Sequence, residues 1–495
     1  MIDEVFIDVG LGETRVAMVA AGQLQEVTVD RPDRRNLVGN IYLGRVQRVV
    51  RAMQAAFVDI GLERSGFLSA RDAICLVDSA SAQNGEEWSR DNLPPIERCV
   101  REGDSILVQL IKNPLGEKGA RLSAGVTLPG RCLVHTPNQE GVGVSRRIED
   151  SEEREQMVEV GAELAARYSG GFIMRTVARD ADMAELDNEA ERLSCQWQTV
   201  LERRAQSAAP ACIMRDLDTV SRTLRDNVDR NVKRIVLNNA EGFAAAKRYC
   251  SWLIPEKVDN IELHNGREQL FDRYDIEEQI AGTASSRAEL KSGGWITIEA
   301  TEALTAIDVN SGRFTQSTSL EATSLHTNLE AAVEVARQLR LRGIGGLIVV
   351  DFIHLAEEDH IAQLLEVFSG ALAQDSAPTQ MSGMSEFGLV ELTRKRTREP
   401  LNRLLSEACA PCDGQGRIPT VETAGFEVLR RAVHEAKLRR GSVMLIEVPS
   451  ELANWFEGEA CDLVVDLEQA IAMTVQIREK PNMARGGYVV QVETP

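Results

Sequence analysis

Asp351 is the single acid in LIVVDFI (347–353), an otherwise apolar run with the composition of a buried strand. A carboxylate in that setting is costly unless it is paired or meets a cation, so its presence asks for a chemical reason. A second acid, Asp308, closes a similar run in ALTAIDVN (303–310), which adjoins WITIEAT (295–301); both read as β-strands. Alternation along a strand puts Asp308 and Asn310 on one face and Ile307 and Val309 on the other. If the 303–310 and 347–353 strands are neighbours, the two aspartates converge at the strand ends. Two carboxylates with water completing the shell suit Mg²⁺, which would activate water and offset the charge developing on a phosphodiester during in-line attack. The alternative is that each Asp merely ends its strand and caps a turn. Pattern alone leaves both readings open.

The second feature is CAPCDGQG (409–416), where Cys409 and Cys412 stand on a tight, glycine-bearing turn. This is half of a tetrahedral zinc site, because structural zinc takes four ligands and the segment supplies two. A second chain could supply the rest. A redox C-x-x-C is an alternative, although such a pair usually opens a helix after a strand. The repeated CxxCxGxG zinc modules are another, although they come in several copies. The other seven cysteines (75, 99, 132, 195, 212, 250, 461) lack short spacing and suit thiols in a reducing compartment.

Around these features, 495 residues with 43% hydrophobic content suffice for several domains. No long apolar run and no signal-like start are present, so a cytoplasmic protein without membrane contact is expected. Residues 41 to 125 read as short strands separated by turns such as GLERSG, which suggests a small closed β unit, OB-like or SH3-like. Residues 126 to 215 combine the strand-like GGFIMRTVA with two acidic helical stretches, the first beginning at Glu149, and read as an α/β unit. Helix and strand then alternate to about 283, with VKRIVLNN the clearest strand. Over 295–400 strands are followed by the helical NLEAAVEVARQLRLRG and a buried strand, and from about 420 a smaller αβ unit ends in YVVQVE.

A formal net charge of −20 argues against a generic polyanion binder, so any nucleic-acid site must be a local basic patch. Two clusters are candidates: Arg394, Lys395, Arg396 and Arg398 in LTRKRTREP, and Arg337, Arg340 and Arg342 in VARQLRLRG. A solvated helix face is the alternative for each. In the β unit, Phe57 and Phe67 are either core residues or, on the open face of an OB-type barrel, platforms for bases. Arg175 beside Thr176 could fork onto a phosphate.

The runs EALTAIDVNSG, TNLEA, ARQLRLRGIGGLIVVDFI and FGLVELTRKR closely resemble the RNase E/G family of endoribonucleases, and the likeness extends over nearly the whole chain. The resemblance implies an α+β multidomain protein: an RNase H-like subdomain (1–35 and 220–283) with an inserted S1 barrel (36–125) and a 5′-sensor subdomain (126–219), a DNase I-like catalytic subdomain (284–405), a zinc-link (406–419) and a small dimerisation domain (420–495). It implies Mg²⁺ on Asp308 and Asp351 with Asn310 in the catalytic site, and zinc on Cys409 and Cys412 shared between two protomers, hence a homodimer that could pair into a tetramer. It also implies an RNA-contacting surface of Phe57, Phe67 and Lys118, and a pocket for a 5′ monophosphate from Gly130, Val134, Arg146, Arg175 and Thr176. The expected products carry a 5′ phosphate and a 3′ hydroxyl, and the expected roles are maturation of ribosomal RNA 5′ ends and mRNA decay. Two departures stand out: His354 occupies a position where the family usually has an acid, and Pro411 precedes the second cysteine where the family often has proline after the first. A chain that ends soon after the small domain resembles the family's shorter members. The rivals from other classes are a non-catalytic RNA-binding protein and a DNA nuclease.

Overall fold

The computed structural model describes the chain apart from residues 1, 32–36, 78–91, 115–118, 149, 230, 313–319, 413, 415, 440 and 494–495. Two compact units result, Met1–Arg398 and Glu399–Pro495. Lys118 and Glu149 lie outside the described residues.

In the first unit, strands Glu4–Val9, Thr14–Ala20 and Gln23–Asp30 form an antiparallel meander. Arg234–Leu237 and then Ile261–Leu263 join it in parallel on the far side of Glu4–Val9, so two distant stretches of sequence share one five-stranded sheet. Alternate residues Val5, Ile7, Val16 and Met18 pack into a core with Leu224, Ile235, Leu237 and Ala246, as a period of two requires.

Ile41–Val50, Ala55–Asp59, Gly66–Ser69, Arg121–Ser123 and Ser105–Lys112 then pair in that order, and the last pairs back onto the first. The result is a closed five-stranded barrel, consistent with the OB-like reading, and Ala211–Met214 adds a strand outside it. Closure needs tight approach at Gly44, where a Cβ would come within 2.5 Å of the Val58 side chain. Next, a four-stranded sheet carries helices Ser151–Arg167 and Met183–Gln206, whose Asp150 and Asp182 side chains cap their first turns.

The sheet holding both aspartates has six strands in the order Arg287–Glu289, Trp295–Ala300, Leu304–Asn310, Gly346–Asp351, Leu389–Arg394 and Thr379–Met384. Helices Leu320–Arg342 and Glu358–Leu372 cover one face, burying Ile296, Ile307, Val309, Ile348, Val350, Val390 and Leu392. The first of these helices starts at Leu320, about two turns before the apolar spacing suggests. Its early inward positions are polar, with Thr323, Ser324, Thr327 and Asn328 all buried, so hydrophobic periodicity does not reveal them.

The second unit centres on Val443–Val448, with Thr474–Glu479 parallel on one side and Val489–Glu493 antiparallel on the other. Helices Val421–Leu438, Ser450–Glu457 and Cys461–Ile471 pack against this sheet. Among the described residues, no helix is long and apolar enough to cross a membrane.

The two basic clusters are for the most part neither open patches nor solvated helix faces. Arg394 is 5% exposed and forks onto buried Asp375 at 2.7 and 3.2 Å. Arg398 donates to the Val27, Arg340 and Leu341 carbonyls. Arg337 pairs with Glu334 and reaches the Leu24 carbonyl at 2.8 Å; Arg340 reaches Gln25 and the Ala371 carbonyl; Arg342 reaches Gln338 and the Ser285 carbonyl. Burial pushes the pKa of Arg340, Arg342 and Arg398 down from the usual arginine value. Five of the seven cations are internal struts because long guanidinium arms can satisfy carbonyls between packed elements. Only Lys395 and Arg396 of the two clusters are exposed.

Candidate functional site

The strands Leu304–Asn310 and Gly346–Asp351 are parallel neighbours, and their register sets Asp308 directly beside Asp351. The preceding pair, Ile307 and Val350, is buried beneath the covering helices, so the two carboxylates share the opposite, exposed face. Apolar burial of one face thus fixes which way both acids point. Adjacent strands lie about 4.8 Å apart, a spacing from which two carboxylates can reach one cation. Asn310, two residues along the same face, donates Nδ2–H to Asp308 Oδ2 at 2.8 Å. Across the sheet Thr297 stands opposite Asp308 and Trp295 opposite Asn310.

The acid end of the second strand is held from behind by residues that sequence patterns do not mark. Fully buried Asn328 donates Nδ2–H to the Ile353 carbonyl at 2.7 Å and accepts the Ile353 N–H at 3.0 Å. Glu321 Oε1 accepts from the Ala356 and Glu357 backbone N–H groups and contacts His360 at 3.0 Å. Helix Leu320–Arg342 thereby fixes the path of the chain as it leaves Asp351. His354 is exposed on that segment. Among the described residues no group of three or more His, Cys, Asp or Glu side chains forms a metal cage. The donor set at this place is two carboxylates with an amide on one of them. That fits Mg²⁺, which keeps several waters and takes only one or two protein carboxylates.

Phe57 and Phe67 are cross-strand partners with ring centroids 6.0 Å apart in an edge-to-face arrangement. They alternate with buried Ala56, Val58 and Leu68, so both rings project from the outer face of the barrel, half-exposed. Arg48 pairs with Phe57 and Arg121 with Phe67, flanking the rings with cations that sequence reading did not single out.

Gly130, Val134, Arg175 and Thr176 come together around one sheet end. Arg175 Nη1 donates to the Gly130 carbonyl at 2.6 Å and to Asp226 Oδ1 at 2.9 Å. A Cβ at Gly130 would sit 1.9 Å from Glu189 Oε1, so any larger residue would displace the Glu189 carboxylate, which accepts the Cys132 N–H. Val134 pairs with Ile173 on the neighbouring strand. Thr176 Oγ1 lies 3.3 Å from Ser145 Oγ and lines an open cavity of about 290 Å³ with Arg131, Arg179, Asp229 and Asn231. Arg146 is exposed, while its neighbour Arg147 reaches the Asp375 and Ser376 carbonyls.

In the second unit, Cys409 is exposed and Cys412 partly so, and no disulfide joins them. The Cys412 and Gly414 N–H groups both reach the Cys409 carbonyl at 3.2 Å, and the Gly416 N–H points at Cys412 Sγ at 3.3 Å. Gly414 and Gly416 both have positive φ, 78° and 75°, which glycine alone adopts readily. A tight turn that aims an amide at sulfur stabilises thiolate, the form that binds zinc. The pair lies in irregular chain ahead of Val421–Leu438 and not at a helix start, unlike a redox pair.

Residues 127–397 match the sequence profile of the Ribonuclease E/G family, and residues 408–493 match that of the RNase E/G thioredoxin-like domain. Ribonuclease G of Escherichia coli (strain K12) is 39% identical over 481 residues, covering 97% of this chain and 98% of the relative. Ribonuclease G of Haemophilus influenzae is 38% identical over 476 residues, covering 96% of each. Ribonuclease E of Escherichia coli (strain K12) is 34% identical over 460 residues, 92% of this chain and 42% of the relative. With aspartates in register on one open sheet face and these likenesses running the length of the sequence, the chain belongs to the ribonuclease E/G family.

Proposed function

We propose that this endoribonuclease hydrolyses single-stranded RNA with Mg²⁺ held by Asp308 and Asp351, acting in ribosomal RNA 5′-end maturation and mRNA decay. The observation that carries the reading is the Asp308–Asp351 rung on the solvent face of the six-stranded sheet. The ion, when bound, supplies Lewis acidity that activates water and offsets phosphate charge, giving 5′-phosphate and 3′-hydroxyl ends. Asp308 and Asp351 would hold it, and Asn310 orients the Asp308 carboxylate by donating to its Oδ2. Phe57 and Phe67 stack on bases and keep the strand single, a mode that tolerates any sequence.

Arg175 and Thr176, with Gly130, Val134 and Arg146 around them, receive a 5′ monophosphate and favour substrates that carry it. Cys409 and Cys412 hold half a zinc site completed by a second copy, giving a homodimer and, by further pairing, a tetramer; chelation that left the dimer mass intact in light scattering would contradict this. The domain plan stays as set out from the sequence: RNase H-like (1–35, 220–283), S1 (36–125), 5′ sensor (126–219), DNase I-like (284–405), zinc-link (406–419) and small domain (420–495).

The deciding experiment is the Asp308→Asn/Asp351→Asn double variant on a short single-stranded RNA and on DNA of the same sequence. Magnesium-dependent RNA cleavage should fall by about 10³-fold or more, since several kcal/mol of charge stabilisation is removed. Survival of cleavage in the double variant would remove the metal assignment, and equal cutting of DNA by the unaltered protein would remove the RNA assignment.

A further inference from the structure

Arg175 is held in a way that ordinary surface arginines are not. Its Nη1 carries two hydrogens and meets two acceptors, the Gly130 carbonyl at 2.6 Å and Asp226 Oδ1 at 2.9 Å, so that nitrogen is saturated. Among the described residues the Nε–Nη2 edge takes no hydrogen bond, and that edge is the fork whose geometry matches two oxygens of a phosphate. Asp226 is held in turn. Arg225 Nε donates to its Oδ1 at 3.1 Å and Arg225 Nη2 to its Oδ2 at 2.8 Å.

Arg225 is nearly buried, with 7% of its side chain exposed, and its Nη1 donates to the Pro129 carbonyl at 3.2 Å, one residue before Gly130. Helix Thr219–Asn227 therefore grips the Pro129–Gly130 turn with an arginine, and grips Arg175 with the carboxylate that this same arginine orients. Burial alone would raise the Asp226 carboxyl, yet the hydrogen bonds and charge of Arg225, and then of Arg175, hold it below the ordinary carboxylate range. Arg225 Nη1 also lies 3.9 Å from Asp216 Oδ1, and Asp216 pairs with Arg222 at 3.1 Å, so three guanidinium groups and two carboxylates make up the cluster behind the fork.

We propose that Asp226 is the positioning residue for end recognition: backed by Arg225, it locks Nη1 of Arg175 against Gly130 and presents the Nε–Nη2 fork to a terminal phosphate. The inference rests on the reading of Arg175 and Thr176 as the end-phosphate site. A carboxylate bound across the fork would compete with phosphate, whereas one bound to the far nitrogen freezes a flexible side chain in the receptive orientation and lowers the entropic cost of binding. No pattern in TLRDN reveals this, because Asp226 acts on a residue 51 positions away in sequence.

The test uses the full-length protein and one RNA prepared with a 5′ monophosphate or a 5′ hydroxyl, reading the ratio of the two kcat/KM values. A merely structural role would lower both rates together and leave the ratio unmoved. The unaltered protein is expected to give a ratio above one, and Asp226→Asn to reduce it about fivefold or more, carried mainly by KM for the phosphorylated RNA. Arg175→Ala combined with Asp226→Asn should reduce the ratio no further than Arg175→Ala alone, since both act on one contact. An Asp226→Asn ratio that is unchanged or raised, or a further fall in the double variant, overturns the positioning role alone. A ratio of one in the unaltered protein overturns the end-phosphate reading, and the positioning role falls with it.

Discussion

Asn310 shows how one amide can matter to a carboxylate site. Its Nδ2–H bond to Asp308 Oδ2 selects which oxygen of the acid remains available on the open face. Partners of this kind usually carry a ten- to hundred-fold effect on metal affinity or activity. Asn310→Ala is therefore expected to lower cleavage by about tenfold or more and to raise the Mg²⁺ concentration at half-maximal rate. An unchanged magnesium titration in that variant would mean that the amide does not orient the acid. At this scale the sequence is informative where chemistry and setting conflict. Asp308 and Asp351 are conspicuous because acids are out of place in strands as apolar as ALTAIDVN and LIVVDFI. Gly130 is not conspicuous, because its reason is Glu189 filling the space that a Cβ would need. Asp226 and Arg225 look like any charged pair on a helix.

Among the elements, helix Leu320–Arg342 does the positioning. Asn328 satisfies both backbone groups of Ile353 from a fully buried place, just after the Asp351 strand ends. Asn328→Leu leaves an N–H and a C=O without partners in the interior, which should cost about 2–4 kcal/mol in denaturant unfolding and lower activity through Asp351. A loss below about 0.5 kcal/mol would show that the segment finds other partners. The strands of this unit are legible because their burial alternates cleanly, but the pairing that brings Asp308 beside Asp351 is not. Strand order depends on contacts between distant segments, and only the structure gives the parallel rung. The helix start is hidden for a different reason, since its buried positions are occupied by Thr323, Ser324, Thr327 and Asn328 rather than by hydrophobic side chains.

On the scale of the whole molecule, sequence reading fails most clearly on charge. VARQLRLRG and LTRKRTREP have the composition of polyanion-binding patches, yet Arg337, Arg340, Arg342, Arg394 and Arg398 are drawn inward to carbonyls and carboxylates. A one-dimensional pattern cannot distinguish a cation that meets solvent from one that ties two elements together, because both need the same long side chain. The elements near the end are more accessible, since the αβ alternation expected after about residue 420 corresponds to helices and strands of the second unit.

The inward use of these arginines changes how the protein meets its substrate in time. With a formal net charge of −20 and five cations of the two basic clusters engaged internally, an approaching RNA is expected to meet a repulsive field at long range, with attraction confined to short range at sites such as the proposed barrel aromatics and end pocket. Repulsion acts over the Debye length, roughly 30 Å at 0.01 M salt and about 8 Å at 0.15 M, whereas contacts with phosphates are lost gradually as salt rises. The bimolecular association rate should therefore rise with the first additions of monovalent salt, pass through a maximum and then fall, at fixed magnesium. Stopped-flow measurement with a fluorescent single strand would show it, and a rate that falls steadily from the lowest salt would mean that exposed cations, not the acidic body, govern encounter. A rate maximum, by contrast, marks a protein that selects its RNA by what survives close contact rather than by what is drawn in from a distance.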